Sequence, residues 1–237
     1  MARAAAKPSA RVVVHRELRN RIITLELPPG APLSENELAT ELSVSRTPVR
    51  EALLLLAEEE LVQIFPQLGT FVSRVDLRRV ADAQFVREAV EVASLADAAS
   101  RLDADTLAAL RQILQAQREA EHDSERFFRL DEEFHHQLLT AGGHDSAWRT
   151  VVSAKAHLDR ARRLGMRLVS PVSSLIDQHT AVVDHLAAGR VDASVEAMRA
   201  HLRLVFSDVE RIRTHSPELF ATDGDQRPVR KTITAWA

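Results

Sequence analysis

Cysteine and tyrosine are absent from this 237-residue sequence, aromatic residues make up 4% of it, and glycine occurs only 7 times. Each shortage removes an option. Without cysteine there are no disulfides and no thiolate ligands, so any bound metal has to be held by nitrogen and oxygen. Few aromatic residues and glycines, beside abundant Ala, Leu, Arg and Glu, favour helices over sheets. No uninterrupted apolar run reaches the length of a membrane span, and residues 1–10 lack the apolar stretch of a signal peptide. A soluble cytoplasmic protein with no membrane partner is the expectation. Net charge is −3 at pH 7, so the chain as a whole is not polybasic. Within residues 1–50, however, Arg3, Lys7, Arg11, Arg16, Arg19, Arg21, Arg46 and Arg50 outnumber the five glutamates, which permits contact with nucleic acid there.

Residues 1–10 read as a flexible tail. Val14, Leu18, Ile22 and Leu25 then recur at helical spacing, predicting a helix from about Arg11 to Glu26 that Leu27-Pro28-Pro29-Gly30 ends. Ser34-Glu35-Asn36-Glu37 has the form of a capping box, in which Ser34 and Glu37 satisfy each other's backbone amides ahead of a second short helix. Ser43-Val44-Ser45 leaves room only for a tight turn. Ser45 is a suitable N-cap whose hydroxyl can accept from a first-turn amide, so a third helix is expected to begin at Arg46, and Pro48 costs nothing in a first turn. Arg46 and Arg50 stand four apart on one face, while Val49, Leu53, Leu56 and Ala57 form an apolar stripe on another. A cationic helix tip with a buried flank suits a DNA major groove, although two arginines on an amphipathic helix are also an ordinary solvated face. Residues 61–65 and 70–72, separated by Pro66-Gln67-Leu68-Gly69, predict a hairpin whose glycine lets the tip approach DNA closely. Residues 11–75 thus read as a winged helix-turn-helix domain.

From residue 76 the pattern is helical almost throughout. Helices are expected near 76–101, with a break around Ala81 as an option, and near 104–120, 124–140, 144–164, 171–188 and 191–213, giving an all-α bundle over 76–213. Residues 214–237 lose periodicity and read as a second flexible tail. Asp131 and His135 sit at i and i+4 on one helix face, and His179 and His201 lie among apolar positions of the last two helices. Converging inside a bundle, the four would form a nitrogen-rich site for a divalent ion such as zinc, nickel or manganese. The bland alternative is that they are ordinary core or surface side chains. His136, His157 and His185 are weaker ligand candidates. The stretch 160–163 is arginine-rich and mostly expected to be a solvated face.

Both halves resemble a known family. Pro29-Gly30, Leu33-Ser34-Glu35, Glu37-Leu38-Ala39, Leu61-Val62, Gly69-Thr70-Phe71-Val72 and above all Val44-Ser45-Arg46-Thr47-Pro48-Val49-Arg50-Glu51-Ala52-Leu53 resemble the GntR family of bacterial transcription regulators. The resemblance implies operator contacts from Ser45, Arg46, Thr47 and Arg50, with Gly69 in the wing. Asn36 departs from the family at a position where an arginine often contacts phosphate, and Glu60 replaces the glycine that usually ends the recognition helix. Residues 76–213 look like the FadR-type C-terminal effector domain, which in many members holds a metal through an Asp-x-x-x-His pair and two later histidines. Asp131, His135, His179 and His201 match those positions. Arg87 matches an arginine that in the family tends to face the effector cavity; a guanidinium there could clamp a carboxylate, or it could simply pair with Glu91 at i+4. Arg160 is a weaker effector-binding candidate.

The expectation is therefore a ligand-responsive DNA-binding regulator, mainly α. An N-terminal winged helix-turn-helix domain binds double-stranded DNA, and an all-α effector domain binds a divalent metal and a small organic acid. The resemblance further implies a homodimer on a palindromic operator and, commonly, repression relieved by the acid. Two other classes remain open. A metal-dependent enzyme could use the Asp/His site, although Glu132 and Glu133 form no recognisable catalytic pattern. A metal-sensing regulator would use the ion itself as its signal.

Overall fold

A computed structural model describes residues 9–222. The expected tail at 1–10 lies, apart from residues 9 and 10, outside the described residues, as do 223–237. The chain forms two compact units, Met1–Asp76 with Ser216–Ala237, and Leu77–His215.

In the first unit, helix α1 (Ala10–Ile23) buries Val14, Leu18 and Ile22 against α3 (Arg46–Glu58), whose Val49, Ala52, Leu53 and Leu56 are also buried. Helix α1 stops short of Glu26 because Leu25 takes a left-handed φ of 63° and the Leu27 amide turns back to the Arg21 carbonyl. Before α2 (Glu35–Glu41), Ser34 Oγ accepts from the Glu37 amide at 3.3 Å, one half of the expected capping box. Helix α2 ends with Ser43 at φ 53°, its amide donating to Thr40 and the next amide, Val44, donating to Ala39. Helix α3 ends the same way. Glu60 takes φ 58°, Glu60 N–H donates to Ala57 and Leu61 N–H to Leu56. This is the Schellman arrangement, reached here by serine and glutamate where glycine is usual. Ser45 does stand at the start of α3 in an extended conformation, but its hydroxyl makes no cap hydrogen bond, contrary to expectation.

Strands β2 (Val62–Phe65) and β3 (Gly69–Val72) form the expected antiparallel hairpin, with Phe65 opposite Gly69 and Val62 opposite Val72. A further strand, β1 (Pro32–Leu33), pairs with β3 and makes the sheet order β1-β3-β2. Two residues are too short to show a period in sequence. Residues 214–222 are not a tail. The Val75 amide donates to Leu219 and the Ala221 amide to Val75, both at 2.9 Å, Arg74 Nε donates to the Glu218 carbonyl, and Leu219 and Phe220 are buried.

The second unit is a bundle of α4 (Leu77–Ala99), α5 (Ala104–Glu119), α6 (Ser124–Ala141), α7 (Trp148–Ala154), α8 (Ala156–Leu168), α9 (Val172–Ala187) and α10 (Val191–His215). Asp103 and Asp123 cap α5 and α6 by accepting from the amides of Thr106 and Arg126. Helix α4 runs unbroken through Ala81. The single helix expected over 144–164 is instead a 3₁₀ turn, α7 and α8, interrupted at Lys155. That lysine is buried and its ammonium pairs with Glu132 and Asp159, so the break seats a charge that a continuous surface helix would leave in water. Leu95, Leu110, Phe134, Leu138, Val182, Val183, Met198 and Leu202 form one core shared by α4, α5, α6, α9 and α10.

Candidate metal centre and nucleic-acid interface

On α3 the buried flank leaves the helix start facing solvent. Ser45, Arg46, Thr47 and Arg50 are all exposed, and the Ser45 hydroxyl, which makes no cap hydrogen bond, can donate to an anion. Among the described residues Arg46 is tied only by a 3.3 Å contact to Glu35, and its side chain is 67% exposed. Gly69 is exposed in the wing at φ 117°, a conformation that side chains rarely adopt.

In the bundle, Asp131 and His135 of α6, His179 of α9 and His201 of α10 come together fully within the interior. One ligand atom from each lies within 4.8 Å of all the others. The surroundings fix which atoms those are. Gln117 of α5 donates from its amide nitrogen to the Leu130 carbonyl, so its Oε1 is the atom facing His179 Nδ1 at 2.9 Å and accepts a hydrogen bond from it. Gln178 likewise places Oε1 2.9 Å from His201 Nδ1, while its Nε2 faces Ser174. His179 therefore carries hydrogen on Nδ1 and a lone pair on Nε2, and His201 does the same with Gln178 oriented so that its amide nitrogen meets Ser174 Oγ. Those two Nε2 atoms face each other at 3.1 Å. Asp131 Oδ1, 3.5 Å from His179 Nε2, and His135 Nε2 are buried with no hydrogen-bond partner among the described residues. Two opposed lone pairs and two orphaned polar atoms in a dry interior are costly unless a cation lies among them. The residues present fit a divalent metal ion.

Charge is distributed to match. Burial works against ionising Asp131, but Arg162, then His135 and His179, outweigh it and hold the carboxyl well below its usual range. Burial brings the His179 pKa to about 3, and burial with His179 and His135 nearby puts His201 well below its ordinary value, so both are neutral at neutral pH. Burial also opposes a charged His135, yet Glu91 and Asp131 reverse the balance and raise it. Its Nδ1 lies 2.6 Å from Glu91 Oε2, and Glu91 Oε1 accepts from Arg87 Nε at 2.6 Å. Burial disfavours the Glu91 carboxylate, but Arg87 and His135 prevail and bring it down to about 2.

Arg87 thus does pair with Glu91, but as a buried pair, and its Nη2 keeps no partner among the described residues. It lines a cavity of about 30 Å³ beside the cluster, together with Arg162, His201 and Asp208 and the apolar side chains of Met166, Leu175, Leu202, Leu204 and Val205. Arg160 is fully buried but does not line this cavity; burial pulls its pKa to about 9. The solvated face expected over 160–163 is corrected. Arg162 bonds Asp131 Oδ2 and Glu132, and Arg163 pairs with Glu125 while its guanidinium lies 3.8 Å from the Phe128 ring centroid. Of the other histidines, His136 stacks on Trp148 and bonds Asp145, away from the cluster. Arg162, Gln117 and the role of Glu91 had no signal in the sequence beyond the i+4 spacing of Arg87 and Glu91; Gln178 was visible only as the neighbour of His179.

Residues 11–72 match the bacterial regulatory proteins of the gntR family, and residues 82–204 match the FCD domain. The chain belongs to the GntR family. This GntR protein is 53% identical to an uncharacterized HTH-type transcriptional regulator in an unstable DNA locus of Streptomyces ambofaciens, across 94% of each chain. It is 36% identical to the HTH-type transcriptional repressor RspR of Escherichia coli K12, across 89% of its own length and 93% of that protein. Its fold is shared with E. coli McbR/YncC at a TM-score of 0.68 and 20% identity, over 86% of this chain and 98% of that one. It is a DNA-binding transcription regulator, and the enzyme alternative is not favoured, because its relatives are named as regulators. Among the described residues no helix is long and apolar enough to cross a membrane.

Proposed function

We propose that this GntR regulator is a homodimeric repressor of a palindromic operator whose helical domain holds a divalent metal and a small carboxylate effector. The observation that carries the reading is the pair of Nε2 lone pairs facing each other at 3.1 Å beside the orphaned Asp131 Oδ1. Asp131, His135, His179 and His201 would hold the ion, and three nitrogens with one oxygen suit zinc, nickel or manganese. When bound there, a divalent ion supplies a Lewis-acidic point that attracts a carboxylate oxygen. Arg87 offers the carboxylate a second anchor through Nη2, while Glu91 fixes the guanidinium by accepting from Nε.

On the DNA side, Ser45, Arg46, Thr47 and Arg50 enter the major groove, and the wing at Gly69 lies along the backbone. Two such domains must match two half-sites about one helical turn apart. An effector that binds one arrangement of the dimer better than another shifts the population toward it, and operator affinity changes by that difference in binding free energy.

The test is selection of sequences from random DNA by the full chain. One short inverted repeat is expected to be enriched, and Arg46→Ala or Arg50→Ala should weaken its binding by about 1–3 kcal/mol and relax its sequence preference. The response of that complex to zinc and to short carboxylic acids follows, and Arg87→Ala should remove the response to acid. Binding that depends only on salt and ignores sequence contradicts the operator contacts; switching by zinc alone, with acids inert, makes the protein a metal sensor instead.

A further inference from the structure

Asp208 has no part in the cluster of metal-ligand side chains, yet it lines the same cavity. It follows His201 on α10 by seven residues and Val205 by three, so the three side chains share one helix face and all three line the cavity, with about 10 Å between the Cα positions of His201 and Asp208. The lining carries the His201 imidazole and the Arg87 and Arg162 guanidinium groups, and also the Asp208 carboxylate; the rest of it is apolar.

Asp208 is built into the bundle. Its side chain is nearly buried, Ser170 Oγ donates to its Oδ1 at 2.8 Å, and no ion pair to it is formed among the described residues. Gly165 of α8 makes room for it, since a Cβ there would come within 2.7 Å of Oδ2. Burial raises its pKa against the Ser170 hydrogen bond and the nearby Arg211. A buried carboxylate with one neutral donor has acceptor capacity to spare.

We propose that Asp208 is a specificity-determining residue of the effector site, and that the effector is a short carboxylic acid bearing a hydroxyl or ammonium group near its far end. This rests on the reading of the cavity as a carboxylate site given above. The acid's carboxylate lies toward Arg87 and the metal ligands, its methylenes lie on Val205 and Leu202, and its distal donor reaches Asp208. The cavity as it stands holds about 30 Å³, room for roughly two waters. Admitting a three- to five-carbon acid requires the lining to give way, and Met166, unbranched and adaptable, is its most deformable side chain.

Binding to the zinc-loaded full chain is measured by calorimetry for matched acids of three to five carbons: each plain acid, its terminal hydroxy and amino derivatives, and glutarate. The derivatives of at least one chain length should bind about tenfold or more tighter than the plain acid. Asp208→Ala should collapse that ratio to about one. Asp208→Asn, which keeps the shape and an acceptor oxygen, should lose the preference for ammonium more than that for hydroxyl. Glutarate, which sets a second carboxylate against Asp208, should bind worst of the five-carbon set. Equal binding of plain and substituted acids, a preference that survives both substitutions, or tight glutarate binding overturns the role of Asp208 and leaves the carboxylate site standing. If no acid binds the wild-type protein, the carboxylate reading fails and this assignment fails with it.

Discussion

A neutral imidazole presents a lone pair to a metal ion through one nitrogen while the other keeps the proton, so the partners of Nδ1 decide whether the cluster can work. Gln117 and Gln178 do this for His179 and His201, while the Glu91 carboxylate faces His135 Nδ1 as an ion-pair partner at 2.6 Å. Gln117→Leu removes the acceptor without adding bulk and leaves the His179 Nδ1 proton unpaired. Metal affinity, read by competition with a chromophoric chelator, is then expected to fall about 10–100-fold; an unchanged affinity would show that Gln117 only fills space. The proton balance gives a second expectation. His179 and His201 are already neutral at pH 7, whereas His135 is raised, so acidification protonates His135 first. Metal affinity should therefore weaken as pH falls, by up to about tenfold per unit below the His135 pKa, and affinity that is flat between pH 7 and 5 would contradict the assignment of His135. The sequence made part of this legible. The i, i+4 spacing put Asp131 and His135 on one face, but Gln117 and Arg162 reach the cluster from other helices, and no spacing within one helix encodes a neighbour across the bundle.

Helix ends carry the next level of information. In the DNA-binding unit, α2 and α3 both close through a left-handed residue that is not glycine, Ser43 and Glu60. The cost of that conformation for an ordinary side chain is about 1–2 kcal/mol, and it is steepest for β-branched residues. Glu60→Gly is thus expected to change stability by no more than about 1 kcal/mol, relief of strain offsetting the entropy glycine loses on folding. Glu60→Val should destabilise by about 1–2 kcal/mol more than Glu60→Gly in urea unfolding followed by circular dichroism; equal effects would show that the cap is not under strain. Helices α1, α2 and α3 and the hairpin were legible because their apolar period and turn residues agree. Strand β1 was not, because its two residues pair only through β3. The break at Lys155 escaped as well, since a buried ammonium between Glu132 and Asp159 looks in sequence like any surface lysine.

At the scale of the whole molecule, the chain crosses between its two units after Asp76 and again after His215. Helix α10, which carries both His201 and Asp208, continues into residues whose backbone is hydrogen-bonded to Val75, just past the wing strand β3. The two units are thus joined covalently at two places, residues 76–77 and 215–216. The apolar pair Leu219 and Phe220 was the trace of this in a stretch otherwise without period. Family and class were legible at this scale from the motif around Arg46 and from the four ligand-type residues, but whether those four converge could be seen only once the helices were packed. The central claim is that they hold a metal. The most direct test is elemental analysis of the full chain, incubated with zinc and freed of unbound ion, beside the His179→Ala variant treated identically. The account predicts about one equivalent of zinc per chain in the wild-type protein and far less in the variant. No stoichiometric metal in the wild type, or the same content in both, would contradict it.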